Sequence, residues 1–357
     1  MRRHAAWLAP LLAAIVAGAV VAAVSFGGSG TTATTTRTGS VAGASHTNAS
    51  VNPPAAVLSY QQALIKVVNR VSPSVVQIAT QSGLGSGIVF DGKGDIVTNY
   101  HVVAGASSFT VTTAAGKRYP AKLVGEFLQD DLAVVNVSGS SLPPATFADS
   151  SKLVRGDIAV AIGNPLGLRS SVTDGIVSAF RQGVSEGSNN GTPVALPSMI
   201  QTSAPINPGN SGGALADIRG RVIGIPTLAA TDPQLGGTAP GIGFAIPSNL
   251  VKDIASQLIA HGHVVNSHRA YLGIQGGDTN GQGVYVGVVE PGGPAAKAGM
   301  QAGVVIVSVS GRQTPTLDAL TTALSTLKPG NTVPVVVEQQ NGSRKTLQIT
   351  LGTVPGG

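Results

Sequence analysis

Between Ser74 and Leu228 the chain is written in short β-branched runs, Val75 to Ile78, Gly87 to Phe90, Ser108 to Thr112, Ile158 to Ile162 and Val222 to Ile225, each punctuated by Gly, Asn, Asp or Pro. Side chains on a strand alternate faces every residue, so runs of this length and spacing read as antiparallel strands closing a barrel or sandwich. The 48 glycines and the low share of charged residues, 11%, suit tight turns and disfavour long charged helices. A mainly β fold is expected.

Helical spacing appears at the flanks of this region. Val57, Leu58, Leu64, Ile65, Val67, Val68 and Val71 recur with helical period before Ser72-Pro73 stops them. Leu250, Val251, Ile254, Leu258 and Ile259 form a second face, with Ser248 as the expected N-cap and Gly262 as the stop. After a connector, His261 to His268, a smaller unit follows. Tyr271 to Ile274, Val284 to Val289 and Val304 to Val309 read as strands, and Pro294 to Ala298 and Leu317 to Leu327 as helices. A closing hairpin is expected around Asn341-Gly342.

The N-terminus carries a different signal. Behind Met1-Arg2-Arg3-His4, no charged residue occurs from Ala5 through Phe26, enough for a helix to span a hydrocarbon core of about 30 Å. A cleaved signal would have a shorter apolar stretch, so an uncleaved anchor is favoured, although Ala23-Val24-Ser25 offers a small-x-small site. Arg2 and Arg3 place the short side in the cytoplasm and the rest of the chain outside. The following Gly, Ser, Thr and Ala stretch is too poor in apolar side chains to order itself and reads as a tether.

The formal charge of +6 is scattered and forms no stripe, which excludes nucleic acid as the expected partner. There is no cysteine, hence no disulfide and no thiol nucleophile. His261, His263 and His268 sit in a connector without an acid cluster, so neither a metal nor another cofactor is expected.

Three segments carry chemistry. A serine hydroxyl is a weak nucleophile that needs a base, and the base needs a group to orient it and stabilise its charge. Thr98-Asn99-Tyr100-His101 offers the base, Asp130-Asp131-Leu132 a carboxylate, and Pro208-Gly209-Asn210-Ser211-Gly212-Gly213 the nucleophile. Glycines let a loop turn two amides toward one point, and the N–H groups of Gly209 and Ser211 are the candidate oxyanion donors.

These segments, with Ile206-Asn207-Pro208-Gly209-Asn210-Ser211 and Gly241-Ile242-Gly243-Phe244-Ala245-Ile246-Pro247, resemble the HtrA (DegP/DegS-like) family over roughly residues 60 to 350. The resemblance implies a chymotrypsin-like double β-barrel over 58–262 and a PDZ domain over 269–353; ahead of them the apolar run and the composition set the transmembrane segment 1–26 and the linker 27–57. It implies peptide-bond hydrolysis with His101 as base, Asp131 as its orienting carboxylate and Ser211 as nucleophile. Asp130 competes with Asp131, but the family pattern sets the acid directly before the Leu-Ala pair.

By the same resemblance, Ile206, Phe244, Ala245 and Ile246 build an apolar specificity pocket, and Tyr271, Leu272, Gly273 and Ile274 hold a peptide carboxylate. Unfolded or damaged extracytoplasmic polypeptides as substrates and a homotrimeric assembly are implied as well. Ser203, Pro205 and Ala214 depart from the usual motif, which affects the loop feeding the pocket, and Val304 replaces an Asp of the PDZ pattern. The alternative is a non-enzymatic chaperone or scaffold in which the barrel only presents the PDZ domain.

Overall fold

Helix α1 (Ala55–Val71) sends Val67 and Val71 into the protein interior and ends where Pro73 turns the chain into a single 3-10 turn. The computed structural model describes residues 54–355 apart from 82, 140, 165–170, 182–183, 190–191, 197, 208 and 233–236. The candidate membrane segment 1–26 and the tether as far as residue 53 lie outside them. Among the described residues no helix is long and apolar enough to cross a membrane, which says nothing of strands.

Six antiparallel strands follow: β1 (Val75–Ala79), β2 (Leu84–Val89), β3 (Asp95–Thr98), β4 (Phe109–Thr112), β5 (Arg118–Phe127) and β6 (Leu132–Asn136). They close a barrel in the order β1-β2-β3-β6-β5-β4. Period-two alternation sends Val76, Val89, Ile96 and Val135 to one cluster and Val75, Ile88, Val97 and Val134 to another. Both faces of β1, β2, β3 and β6 are largely buried, and that is why those runs read as continuously apolar, whereas β5 is exposed over much of its length.

The second barrel comprises β7 (Ile158–Gly163), β8 (Ser171–Arg181), β11 (Met199–Thr202), β12 (Ala214–Asp217), β13 (Val222–Asp232) and β14 (Gly237–Pro247), ordered β11-β14-β13-β12-β7-β8. The pair β9 (Val184–Asn189) and β10 (Thr192–Leu196) stands apart from it as a two-stranded ribbon. Val160, Ile162, Ala214 and Ile246 join the first barrel's Val97 and Val134 in one shared cluster, so the barrels are cemented by apolar burial.

Helix α3 (Ser248–His261) completes that cluster with Val251, Ile254, Ala255 and Leu258. Its C-terminus follows expectation, with Gly262 left-handed at φ 76° and its N–H donating to Leu258 O. Its N-terminus does not. The cap position is Pro247, and the Ser248 hydroxyl instead donates to Ala148 O at 2.9 Å, tying the helix to the loop between the barrels. At Gly125, where β5 is bulged, a Cβ would lie 2.4 Å from Gly262 O, so only glycine lets the helix end rest on that strand.

The C-terminal unit pairs β15 (Ala270–Tyr271) with β22 (Gly352–Thr353). Its main sheet runs β16 (Ile274–Asp278), β17 (Val284–Val289), β18 (Val305–Val309), β20 (Thr332–Glu338), β21 (Arg344–Thr350), with β19 (Arg312–Gln313) on β18. Helices α4 (Pro294–Lys297) and α5 (Leu317–Ser325) accompany it, the latter capped by the Thr316 hydroxyl accepting from Ala319 N. Leu320, Val286, Ile306 and Val335 belong to its own core, separate from the clusters of the barrels.

One buried ion pair joins this unit to the first barrel. Arg269, just before β15, donates through Nη1 to Asp130 Oδ1 at 3.0 Å and to Gln129 O. Burial pushes the Asp130 carboxyl up to about 6 despite the Arg269 guanidinium beside it. The folded chain therefore holds a proton near pH 5 that the unfolded chain, with a carboxyl near 3.9, has lost. This group's contribution to stability falls as pH rises from about 4 to 6, by at most about 1.4 kcal/mol per pH unit. Denaturant unfolding at pH 4, 5 and 6 should show a flatter pH dependence in Asp130→Asn than in the wild type; equal slopes would contradict the assignment.

Candidate active site

Pairing of β3 with β6 sets Thr98 opposite Ala133, so the residues leaving β3 and those entering β6 meet at one end of the first barrel. His101 lies in the single turn α2 (Tyr100–Val103) just past β3, and Asp131 immediately precedes β6. His101 Nδ1 is 3.0 and 2.9 Å from the two Asp131 oxygens, and the His101 backbone N–H donates to Oδ1 at 3.0 Å. Asp131 is almost wholly buried, whereas the His101 side chain remains 34% exposed.

Asp131 sits in the left-handed region at φ 50°, uncommon for a residue with a Cβ. Its carbonyl accepts from Asn99 Nδ2 at 3.0 Å and its N–H donates to Leu128 O at 3.0 Å, contacts that hold the strained backbone. The adjacent carboxylates thus part company: Asp131 faces His101 and Asp130 faces Arg269.

Ser211 comes from the second barrel, in the turn that leads into β12. Gly212 has φ 80°, and a Cβ there would fall 2.1 Å from Ser86 O, so the loop passes against the first barrel at a distance only glycine permits. The Ser211 hydroxyl donates to Thr227 O at 3.2 Å. Thr227 occupies a bulge in β13, where register shifts between Pro226 and Leu228, and its own hydroxyl donates to Asp131 Oδ2. A bulge frees a residue from the ladder and re-aims it, here across the inter-barrel cleft. One threonine therefore touches both the carboxylate behind His101 and the Ser211 hydroxyl.

The expected pocket residues divide between two faces. Ile206 and Ala245 lie in the second barrel's interior cluster, and a Cβ on Gly243 would fall 2.4 Å from Ile206 Cγ1, so Ile206 occupies the space Gly243 leaves. Phe244 and Ile246 pack on the cluster between the barrels. Strand alternation prevents three consecutive residues from lining one wall.

In the C-terminal unit, Tyr271, Leu272, Gly273 and Ile274 line a cavity of about 370 Å³ together with Leu320 and Leu324 of α5. Gly273 has φ 76°. The Tyr271 hydroxyl donates to Glu290, and burial, followed by that carboxylate, pushes it up to about 12.

Thr227 and Ser86 were not anticipated from sequence. Pro226 inside an apolar strand was the available sign of a bulge at Thr227. Ser86, between two glycines on β2, gave no sign.

A family description of a trypsin-like peptidase domain matches residues 85–225, and one of a PDZ domain matches 270–351. Serine protease PepD of Mycobacterium tuberculosis is 40% identical over 308 residues, covering 80% of this chain and 65% of that protein; the chain thus spans less than two thirds of PepD. Serine endoprotease DegS of Escherichia coli is 37% identical over 317 residues, 85% of this chain and 84% of DegS. The solved structure of HtrA-type protease AlgW with a decapeptide superposes with a TM-score of 0.57 at 30% identity, covering 82% of this chain and 98% of that one.

Removing the Thr227 hydroxyl takes one buried hydrogen bond from an ionised acceptor, worth about 1.5–3 kcal/mol. Thr227→Val should lower kcat by roughly ten- to a hundredfold with KM little changed, read on a chromogenic peptide. An unchanged kcat would show that the bond does not hold the site.

Proposed function

As the chain belongs to the HtrA family of trypsin-like serine proteases with a PDZ domain, we propose that it is an endopeptidase whose nucleophile is Ser211, with His101 as base and Asp131 as its orienting carboxylate. The observation carrying this reading is the convergence across the cleft: His101 and Asp131 from one barrel, Ser211 from the other, and Thr227 touching both sides.

The chemistry follows from the geometry. For the reaction the Ser211 hydroxyl has to leave Thr227 O and turn to His101. His101 accepts its proton as Oγ attacks the scissile carbonyl, and Asp131 stabilises the imidazolium through Nδ1. The N–H groups of Gly209 and Ser211 receive the oxyanion. The imidazolium then protonates the departing amine, leaving an acyl group on Ser211, and a water activated by His101 releases it. None of these steps calls on a cofactor.

A specificity pocket at Ile206 and Ala245, both apolar members of the second barrel's interior cluster, would favour small or medium apolar side chains. Phe244 and Ile246 support that wall from behind. The cavity at Tyr271 to Ile274 suits a peptide C-terminus added as an edge strand, its terminal apolar side chain against Leu320 and Leu324. Unfolded or damaged extracytoplasmic proteins are the substrates of this reading.

The apolar segment 1–26 would hold the chain at the cell membrane, with the barrels and the PDZ domain outside. Homotrimeric assembly is part of the same proposal. Its support is the apolar surface left on Val57, Leu58 and Ile65 of α1 and on Val172 and Ile176 of β8, two elements linked by the Tyr60 hydroxyl to Asp174.

The test is degradation of an unfolded protein such as reduced casein by wild type and Ser211→Ala. Loss of the nucleophile should cost about a millionfold in kcat, abolishing measurable cleavage. Equal cleavage by both would remove Ser211 from the assignment.

A further inference from the structure

Ser86 lies wholly buried on β2 of the first barrel, yet all of its polar groups engage the site. Its hydroxyl donates to Gly209 O at 2.6 Å and accepts from Asn164 N at 2.8 Å. Its backbone N–H donates to Ser211 O at 2.9 Å, and its carbonyl accepts from Thr98 Oγ1 at 2.6 Å. The carbonyls on either side of Asn210 are therefore both fastened to one residue of the opposite barrel.

The segment needs such an anchor. Gly209 has φ 101° and no Cβ, so its own sterics do not select one orientation for the peptide that follows it. Asn210 is buried, but neither atom of its amide has a hydrogen-bond partner among the described residues, so its side chain does not hold the turn. What remains within the turn are the backbone bonds from Asn210 N to Asn207 O and from Gly213 N to Asn210 O.

We infer that Ser86 is a positioning residue for the oxyanion hole: its hydroxyl holds the Gly209 carbonyl and so fixes the peptide that lies between the two donor-bearing ones, which keeps the Gly209 and Ser211 N–H groups aimed at one point. The inference rests on Ser211 being the nucleophile. The barrels already share an apolar seam, and Ser86 adds the polar contact that turns their closure into a fixed donor geometry. Because the two donors are backbone groups, they have no side chain to mutate, and the Ser86 hydroxyl is the side-chain handle on them.

The experiment compares the full chain as wild type, Ser86→Ala and Ser211→Ala on one chromogenic peptide, with inhibition by a peptide aldehyde of the same sequence. An aldehyde adduct places an oxyanion where the tetrahedral intermediate has one. Loss of a single oxyanion donor costs about a hundred- to a thousandfold in rate, and loosening both should cost less. Ser86→Ala should therefore lose about ten- to a hundredfold in kcat with KM within about twofold, and its aldehyde Ki should rise by the factor lost in kcat/KM.

A merely structural role would move thermal stability and leave the aldehyde Ki in step with KM, which would overturn the inference, as would an unchanged kcat. Should alanine prevent folding, Ser86→Cys fills the same place with a weak donor. A folded cysteine variant with wild-type kcat overturns the inference, and one with intermediate kcat and Ki supports it. Activity surviving in Ser211→Ala would instead defeat the underlying assignment, whatever Ser86 does.

Discussion

The buried carboxylate of Asp131 is the constraint on which the rest of the site depends. It accepts from the His101 backbone, from the His101 ring and from the Thr227 hydroxyl. A carboxylate taken out of water has to be repaid by donors in good geometry, and these arrive from both barrels. The left-handed backbone at Asp131 and the bulge that frees Thr227 are both needed before the three donors can meet, and Gly212 lets the Ser211 loop come up beside them.

Burial of apolar surface brings the parts near, and hydrogen bonds decide their final placement. Val97 and Val134 of the first barrel share a cluster with Ile162, Ala214 and Ile246 of the second and with Leu258 of α3. That non-directional attraction sets the barrels side by side. Direction comes from Ser86, Thr98, Asn99 and Thr227, all buried and all bonded to atoms of the Asp131 and Ser211 segments or to one another.

Strands β1, β2, β4, β7 and β13, helix α1 and the stop of α3 at Gly262 were legible in the sequence because each rests on local period or local backbone chemistry. His101, Asp131 and Ser211 were legible as residue types in a recognisable order, and the structure adds that Asp131 and not Asp130 meets His101. Ser248 was misjudged as a helix cap because a serine before an apolar face satisfies the local rule, while its tertiary partner, Ala148 O, lies far along the chain. Phe244, Ala245 and Ile246 were grouped as neighbours on one strand, and alternation adds that Ala245 joins the second barrel's interior while Phe244 and Ile246 join the cluster between the barrels. Thr227 and Ser86 act across the cleft, and no window of sequence contains both ends of their contacts. The apolar run of residues 1–26, read as a membrane anchor from its sequence, lies outside the described residues.

Placement of the reactive serine is the central claim, and mapping the site of covalent modification tests it most directly. A fluorophosphonate should add to the full chain once, and peptide mass mapping should place the adduct on Ser211, with labelling lost in His101→Ala. An adduct on another residue, or labelling of Ser211 that persists undiminished without His101, would contradict the account.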